Sequence, residues 1–60
     1  MLTIESVIEY VKKTFADSFD NILSCTIDSD GVAIVTVKSG DWIGTAEVWH
    51  VDGFGLYGEL

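Results

Sequence analysis

The apolar residues of this 60-residue chain change their spacing once, near Asp20-Asn21. Before that point they recur at three- and four-residue steps, which is the period of an amphipathic helix. After it they alternate with polar residues in short runs, and the runs are separated by Asp-Gly and Ser-Gly pairs that are typical of hairpin turns. The sequence therefore predicts an α+β fold, a single domain over residues 1–60 with one N-terminal amphipathic helix packed on an antiparallel β-meander of three or four strands.

The predicted helix covers about residues 3–18, and one stripe of apolar side chains runs along it. Thr3 is a favourable N-cap, and Leu2 and Val7 occupy the two positions of a hydrophobic staple. The helical pattern weakens after Ala16, so the helix is expected to end within the next few residues. The stripe consists of Ile4, Val7, Ile8, Val11, Phe15 and Phe19.

The remaining apolar runs predict four strands joined by three turns. We place the strands at about residues 22–28, 32–38, 42–51 and 54–59. Two pairings compete at the first turn. Either Asp30-Gly31 forms a two-residue turn, or Ser29-Asp30-Gly31 forms a three-residue loop in which the glycine is left-handed. The three-residue loop gathers the smaller and more apolar side chains on one face, so we prefer it.

The second turn is predicted at Ser39-Gly40, which would place Ala33 opposite Ala46, and the third is predicted at Asp52-Gly53. With these registers, apolar residues fall on both faces of the sheet. The face assigned to the helix carries Leu23, Cys25, Ile27, Ala33, Val35, Val37, Trp42, Ala46 and Val48. The second face carries Ile22, Val32, Ile34, Ile43, Trp49, Val51, Phe54 and Leu56.

A single helix covers one face of such a sheet, and the second face has apolar residues where a solvated face has polar ones. Contiguous exposed apolar surface marks an interface, so we expect one here, most simply in a symmetric homodimer. Two alternatives remain: the last strand folds over the second face as a partial barrel, or a one-residue register error exchanges the faces of a strand. The residues expected to make the apolar contact are Ile34, Ile43, Trp49, Phe54 and Leu56.

Ten acidic residues, three lysines and no arginine give the chain a net charge of −7. Nucleic-acid binding depends on lysine and arginine that neutralise phosphates, so direct binding of DNA or RNA is not expected. Anionic membrane surfaces are disfavoured for the same reason, whereas a basic protein partner fits the charge. The meander brings its first and third turns to one end, where Asp28, Asp30 and Asp52 are the acidic recognition candidates. Solubility and turn chemistry explain the same residues.

Catalysis and metal binding find little support in the residue types present. Cys25 and His50 are the single thiol and the single imidazole, and another strand separates their strands, so a thiol–imidazole pair is not expected. A zinc site lacks ligands. The segment Asp28-Ser29-Asp30-Gly31 begins like a calcium loop, but the first and twelfth loop positions would be Thr26 and Val37. The sequence therefore predicts no enzyme activity, no metal and no cofactor.

One unpaired cysteine fits a reducing compartment, so a cytoplasmic location is expected. No apolar run approaches the roughly 20 residues of a membrane span. In composition, the chain resembles the small accessory and inhibitor proteins of phages and mobile elements. We therefore expect a small, acidic, non-enzymatic protein-binding module that forms a homodimer and binds a basic host protein. The alternatives are a DNA-mimic inhibitor of a nucleic-acid-binding enzyme and a structural subunit of a larger assembly.

Overall fold

One helix and four strands make up residues 2–60, which are the residues that the computed structural model describes. The elements are α1 (Ile4–Thr14), β1 (Asn21–Ile27), β2 (Ala33–Ser39), β3 (Trp42–Val51) and β4 (Gly55–Glu59). The strands form one antiparallel sheet in the order β1-β2-β3-β4, which confirms the predicted helix-plus-meander fold. Within the described residues, no helix is long and apolar enough to cross a membrane.

The helix begins at the predicted N-cap. The Thr3 Oγ1 atom accepts a hydrogen bond from the Ser6 backbone N–H at 3.1 Å, and the Ser6 hydroxyl accepts one from the Thr3 N–H at 3.2 Å. This reciprocal pair satisfies two backbone donors that a helix start leaves open. The helix ends at Thr14, earlier than predicted. Asp17 and Ser18 follow shortly after it, and such side chains compete with the helix for backbone hydrogen bonds.

The core lies between α1 and the two central strands. Its fully buried residues are Val7, Val11, Ala33, Val35, Val37, Ala46 and Val48. Two of these come from the helix and five from β2 and β3, so the helix covers the face that the sequence assigned to it. Partly buried aromatic side chains, Phe15 and Phe19 among them, pack around this group.

The β1–β2 connection is the preferred three-residue loop. Ile27 lies opposite Ala33, and Gly31 has a φ of +81°, the left-handed conformation that favours glycine. The Asp28 Oδ1 atom accepts hydrogen bonds from the backbone N–H groups of Asp30 at 2.9 Å and Val32 at 3.0 Å. Asp28 therefore has a structural task in the turn.

A β-bulge near the start of β1 overturns two of the predicted face assignments. Ile22 lies opposite Val37, but Ser24 already lies opposite Thr36, so Leu23 is an extra residue without a partner. An inserted residue reverses the alternation on its side of the bulge. As a result, Ile22 packs against the core and Leu23 is 51% exposed, the opposite of the sequence prediction.

The β2–β3 turn lies one residue later than predicted. Ser39 lies opposite Trp42, so Gly40-Asp41 forms the turn and Ala33 faces Val48 instead of Ala46. A shift of two in the pairing keeps every side chain on its face, so the predicted faces of β3 remain correct. The Asp20 Oδ2 atom accepts a hydrogen bond from the Gly40 N–H at 2.9 Å, which fixes the turn at this position.

The β3–β4 loop contains three residues, Asp52, Gly53 and Phe54, and this overturns the predicted face of the last strand. Val51 pairs with Gly55 and His50 with Leu56. Leu56 therefore points to the helix side and packs against the core, and its assignment to the second face was wrong. The observed register buries an aliphatic side chain and leaves the hydroxyl-bearing ring of the next residue, Tyr57, at the surface.

The observed register also fits the helix. Gly58 lies opposite Val48 and beneath the ring of Tyr10, and a Cβ atom there would stand 2.8 Å from the Glu47 carbonyl oxygen and 3.1 Å from Tyr10 Cε2. Only a glycine allows the helix side chain to approach β4 so closely. β4 pairs with Glu47–Val51 only, so the segment Trp42–Ala46 of β3 has no β4 residue beside it.

Substitutions at two neighbouring apolar residues test this register. Leu56→Ala is expected to lower the free energy of unfolding by about 1–3 kcal/mol, because it removes part of the core. Phe54→Ala is expected to change it by less than about 0.5 kcal/mol, because that ring is exposed. Urea unfolding of both variants provides the measurement, and a larger loss for Phe54→Ala than for Leu56→Ala would contradict the register.

Candidate functional site

The reverse face, which is the face of the sheet turned away from α1, carries polar residues between its apolar ones. Ile34 lies opposite Glu47, and Ile43 lies opposite Lys38 at the far end, so each of these isoleucines has polar neighbours. The continuous apolar face expected from the sequence is therefore absent. Of its predicted members, Ile22 and Leu56 pack against the core, and Val32 and Phe54 lie in the loops between strands. The polar residues of this face include Ser24, Thr26, Thr36, Lys38, Thr45, Glu47 and Glu59.

Apolar surface remains at one corner of the reverse face. We call the group formed by Trp49, Val51, Phe54 and Tyr57 the aromatic corner. It lines a shallow depression of about 400 Å³ at the end of the β3–β4 hairpin. Trp49 and Tyr57 face each other across the two strands, with ring centroids 5.4 Å apart and ring planes tilted by 51°. The sheet thus presents three aromatic rings together at one end.

The most exposed large apolar side chain among residues 2–60, Phe54, lies in this corner. Phe54 is 87% exposed and Tyr57 is 57% exposed, while Trp49 is half-buried. An isolated exposed apolar side chain needs no explanation, but grouped aromatic rings resemble the central anchors of protein interfaces. The loop that holds Phe54 closes with a hydrogen bond from its N–H to the Val51 carbonyl oxygen at 3.0 Å. The most exposed ring, that of Phe54, therefore extends from a turn that a backbone hydrogen bond closes.

Acidic side chains border the aromatic corner. Glu47 and Glu59 lie directly opposite each other on β3 and β4, two residues from Trp49 and Tyr57 and on the same face. Like charges at such a position destabilise a sheet. Among residues 2–60, the one ion pair between side chains joins His50 Nδ1 and Asp52 Oδ1 at 3.6 Å, so neither glutamate has a cationic partner.

The lysines lie elsewhere. Lys12 and Lys13 are in the last turn of α1, on the other side of the sheet. Lys38 is on the reverse face, but it lies four residues along β2 from Ile34, the residue opposite Glu47. Four residues of a strand span about 13 Å, so Lys38 is remote from the glutamates. The surroundings of the aromatic corner are therefore uniformly acidic.

The residues predicted to form an interface do not lie together. Trp49 and Phe54 belong to the aromatic corner, and Ile34 is half-buried beside its border. Ile43 is 61% exposed at the opposite end of the sheet, and Leu56 is on the helix side.

Sequence reasoning omitted Tyr57 from the interface, although it faces Trp49 across the hairpin. The signal was present, because a three-residue loop at Asp52-Gly53-Phe54 pairs two aromatic residues, which are favourable cross-strand neighbours. Val51 was assigned to the correct face but was not singled out.

The three predicted acidic recognition residues lie in the two turns expected to carry them, but their surroundings differ. The Asp28 carboxylate is engaged by the backbone of its own turn, whereas Asp30 is exposed beside it. Asp52 is exposed and contacts His50. Within the described residues, no group of three or more histidine, cysteine, aspartate and glutamate side chains could hold a metal ion.

The single thiol and the single imidazole are far apart. Cys25 aligns through Val35 with Ala46, and His50 lies four residues further along β3. This separation is about 13 Å along the strand alone, beyond the reach of proton transfer between the two groups. Burial raises the pKa of the Cys25 thiol, which lowers the fraction of reactive thiolate at neutral pH.

A second depression, of about 570 Å³, lies between the end of α1 and the start of β1. Ile8, Lys12, Phe19 and Asp20 are among the residues that line it. The Asp20 carboxylate already accepts the Gly40 N–H, so it serves the turn. Among the described residues that line it, the depression therefore offers the Lys12 ammonium group and no group of chemically active side chains.

The partial burial of the Cys25 thiol predicts slow alkylation in the folded protein. At pH 8, iodoacetamide is expected to alkylate Cys25 more slowly in the folded protein than in the urea-unfolded chain, because the raised pKa and partial burial both reduce available thiolate. Mass spectrometry of timed samples gives the rates, and N-acetylcysteine amide in the same two buffers corrects for urea. Equal corrected rates would contradict a protected thiol.

Comparison with protein-family models, with curated proteins and with solved structures found no match to this chain.

Proposed function

We propose that this protein is a non-enzymatic protein-binding module that contacts its partner through the aromatic corner. The observation that carries the proposal is the position of Phe54, which is 87% exposed and stands beside Trp49 and Tyr57 at one depression. Burying a large apolar side chain stabilises a complex by about 1.5–3 kcal/mol. A partner that covers the corner would gain this contribution from several rings at once.

The arrangement of the corner supports a binding role. Its side chains come from two paired strands and from the turn that joins them, and the core on the opposite face supports that hairpin through Val48 and Leu56. Aromatic side chains on a rigid support lose little conformational entropy on binding. The corner is therefore prepared for contact before a partner arrives.

The charge around the corner favours a basic protein as the partner. Glu47, Glu59 and Asp52 are all exposed near the rings, and the chain carries a net charge of −7. Complementary charge speeds association and selects among partners. A basic surface with an apolar centre would match this pattern.

The homodimer expected from the sequence is less well supported by this geometry. Its argument required a continuous apolar face, and polar residues separate the aromatic corner from Ile43 at the other end of the reverse face. Both copies in such a dimer would also carry a net charge of −7, and like charges oppose association. A hetero-complex therefore ranks above self-association in our proposal.

The other functions considered from the sequence gain no specific support. A DNA mimic needs acidic groups free to imitate phosphates, and the carboxylates of Asp20 and Asp28 accept backbone hydrogen bonds instead. A catalytic role would need Cys25 and His50 to cooperate, and the sheet holds them apart.

The proposal is tested by quantitative capture from a cell lysate with three immobilised forms of the protein. Phe54→Ser is expected to weaken retention of specifically bound proteins by about tenfold or more, because aromatic anchors dominate interfaces. Ile43→Ser is the matched control, since it removes an exposed apolar residue from the far end of the same face. Circular dichroism checks that all three forms are folded.

Retention that is unchanged in Phe54→Ser would contradict the proposed surface. Equal losses for Phe54→Ser and Ile43→Ser would also contradict it, because apolar contact would then be spread over the face. Sedimentation of the unmodified protein provides the second readout, and a stable dimer that Phe54→Ser dissociates would replace the hetero-complex with self-association.

A further inference from the structure

We infer that the aromatic corner recognises a cationic side chain, an arginine or a lysine, that its protein partner presents next to apolar residues. This inference rests on the proposed function and adds the chemistry that selects the partner. The cation would lie against the rings of Trp49 and Tyr57 with its charged end toward the carboxylates of Glu47 and Glu59. The partner segment would thus place its apolar part at Phe54.

The spacing of the two groups fits one long side chain. Trp49–Tyr57 and Glu47–Glu59 are consecutive pairs on the same face of the β3–β4 hairpin. Two residues along a strand span about 7 Å, which is comparable to the length of an extended arginine or lysine side chain. One such side chain can therefore lie across the rings while its charged end reaches the acidic pair.

The ring geometry leaves surface for a cation. The planes of Trp49 and Tyr57 are tilted by 51°, so neither ring covers the other as parallel stacking would. Cations are attracted to the faces of aromatic rings, most strongly to tryptophan, and arginine is the side chain most often found there. Aromatic rings grouped around a depression are the arrangement that proteins use to hold organic cations.

The acidic pair is left without a counter-charge by the protein itself. Glu47 and Glu59 repel each other across the hairpin, and among residues 2–60 the lysines lie in α1 and at the far end of β2. A cation supplied by the partner would offset this repulsion and gain charge-assisted hydrogen bonds. The free protein therefore has no positive charge beside Glu47 and Glu59, and the bound partner would supply one.

A second copy of the chain is a poor source of that cation. The sequence contains no arginine and only three lysines. Lys12 and Lys13 are adjacent in the last turn of α1, and Lys38 has a single exposed apolar neighbour opposite it, Ile43. The occupant that matches the corner is a different protein, with arginine or lysine close to apolar side chains.

Three capped heptapeptides test the inference. They have the same leucine and alanine flanks and carry arginine, citrulline or norleucine at the centre, so that they separate charge from shape. Binding is followed by the NMR shift of the Trp49 indole N–H, with Trp42, at the other end of β3, as internal reference. The arginine peptide is expected to bind about tenfold more tightly than the citrulline peptide.

A charge-matched pair of variants locates the effect. The double variant Glu47→Gln/Glu59→Gln is expected to lose the preference for arginine. The control Glu9→Gln/Asp41→Asn removes the same number of charges elsewhere, on α1 and in the β2–β3 turn, and is expected to keep the preference. Loss of the preference in both double variants would overturn the inference, because the net charge would then explain it.

The outcomes separate this inference from the proposed function. Equal binding of all three peptides at Trp49 would overturn the recognition of a cation, while the corner would stand as an apolar contact surface. Absence of any shift at Trp49 would overturn the inference as well. The proposed function is judged independently, by the loss of captured protein in Phe54→Ser relative to Ile43→Ser.

Discussion

Within residues 2–60, an 11-residue helix is the only element that packs against the four-stranded sheet, and that imbalance governs the structure. The helix contributes Val7 and Val11 to a core whose other fully buried members come from β2 and β3. On the opposite side of the sheet, no other helix or strand of residues 2–60 packs against the strands. Many strand positions on this side are threonine, serine or charged residues, because polar side chains can be hydrated on an exposed strand. The exceptions are the aromatic corner and, at the opposite end, Ile43; only in the corner are apolar side chains grouped around a depression.

The sequence predicts an element of the fold where a residue pattern is compatible with only one local structure. The change of period separates helix from strands, Thr3 provides the N-cap, and Gly31 provides the left-handed residue that a three-residue loop needs. The register of the last strand had two solutions that the pattern could not separate. Leu56 and Tyr57 are both apolar enough for a core. Which of them faces the core depends on whether the Tyr57 hydroxyl stays in solvent and on the fit of Gly58 beneath Tyr10.

The candidate site was predictable in kind but not in extent. An excess of apolar residues predicted an uncovered apolar surface, and two of its predicted members, Trp49 and Phe54, line the depression of the aromatic corner. The bulge at Leu23 and the longer third loop then moved other apolar residues to the core side. The bulge has no clear sequence signal, because a bulge at an edge strand costs little and leaves the turn residues unchanged. The longer third loop could have been inferred, because it pairs Trp49 with Tyr57 across the hairpin. Together these two features account for the move of Ile22 and Leu56 from the reverse face to the core side.

The hydrogen bond between Asp20 and Gly40 links positions that are twenty residues apart, whereas every strand pairs only with its neighbours along the chain. It ties the segment that leaves α1 to the turn at the far side of β2, and the Asp20 N–H donates to the Lys38 carbonyl oxygen in the same place. A chain of local pairings can open strand by strand from its ends. Because these two hydrogen bonds join the segment after α1 to the end of β2, the helix terminus and the first hairpin should loosen together, as one cooperative unit.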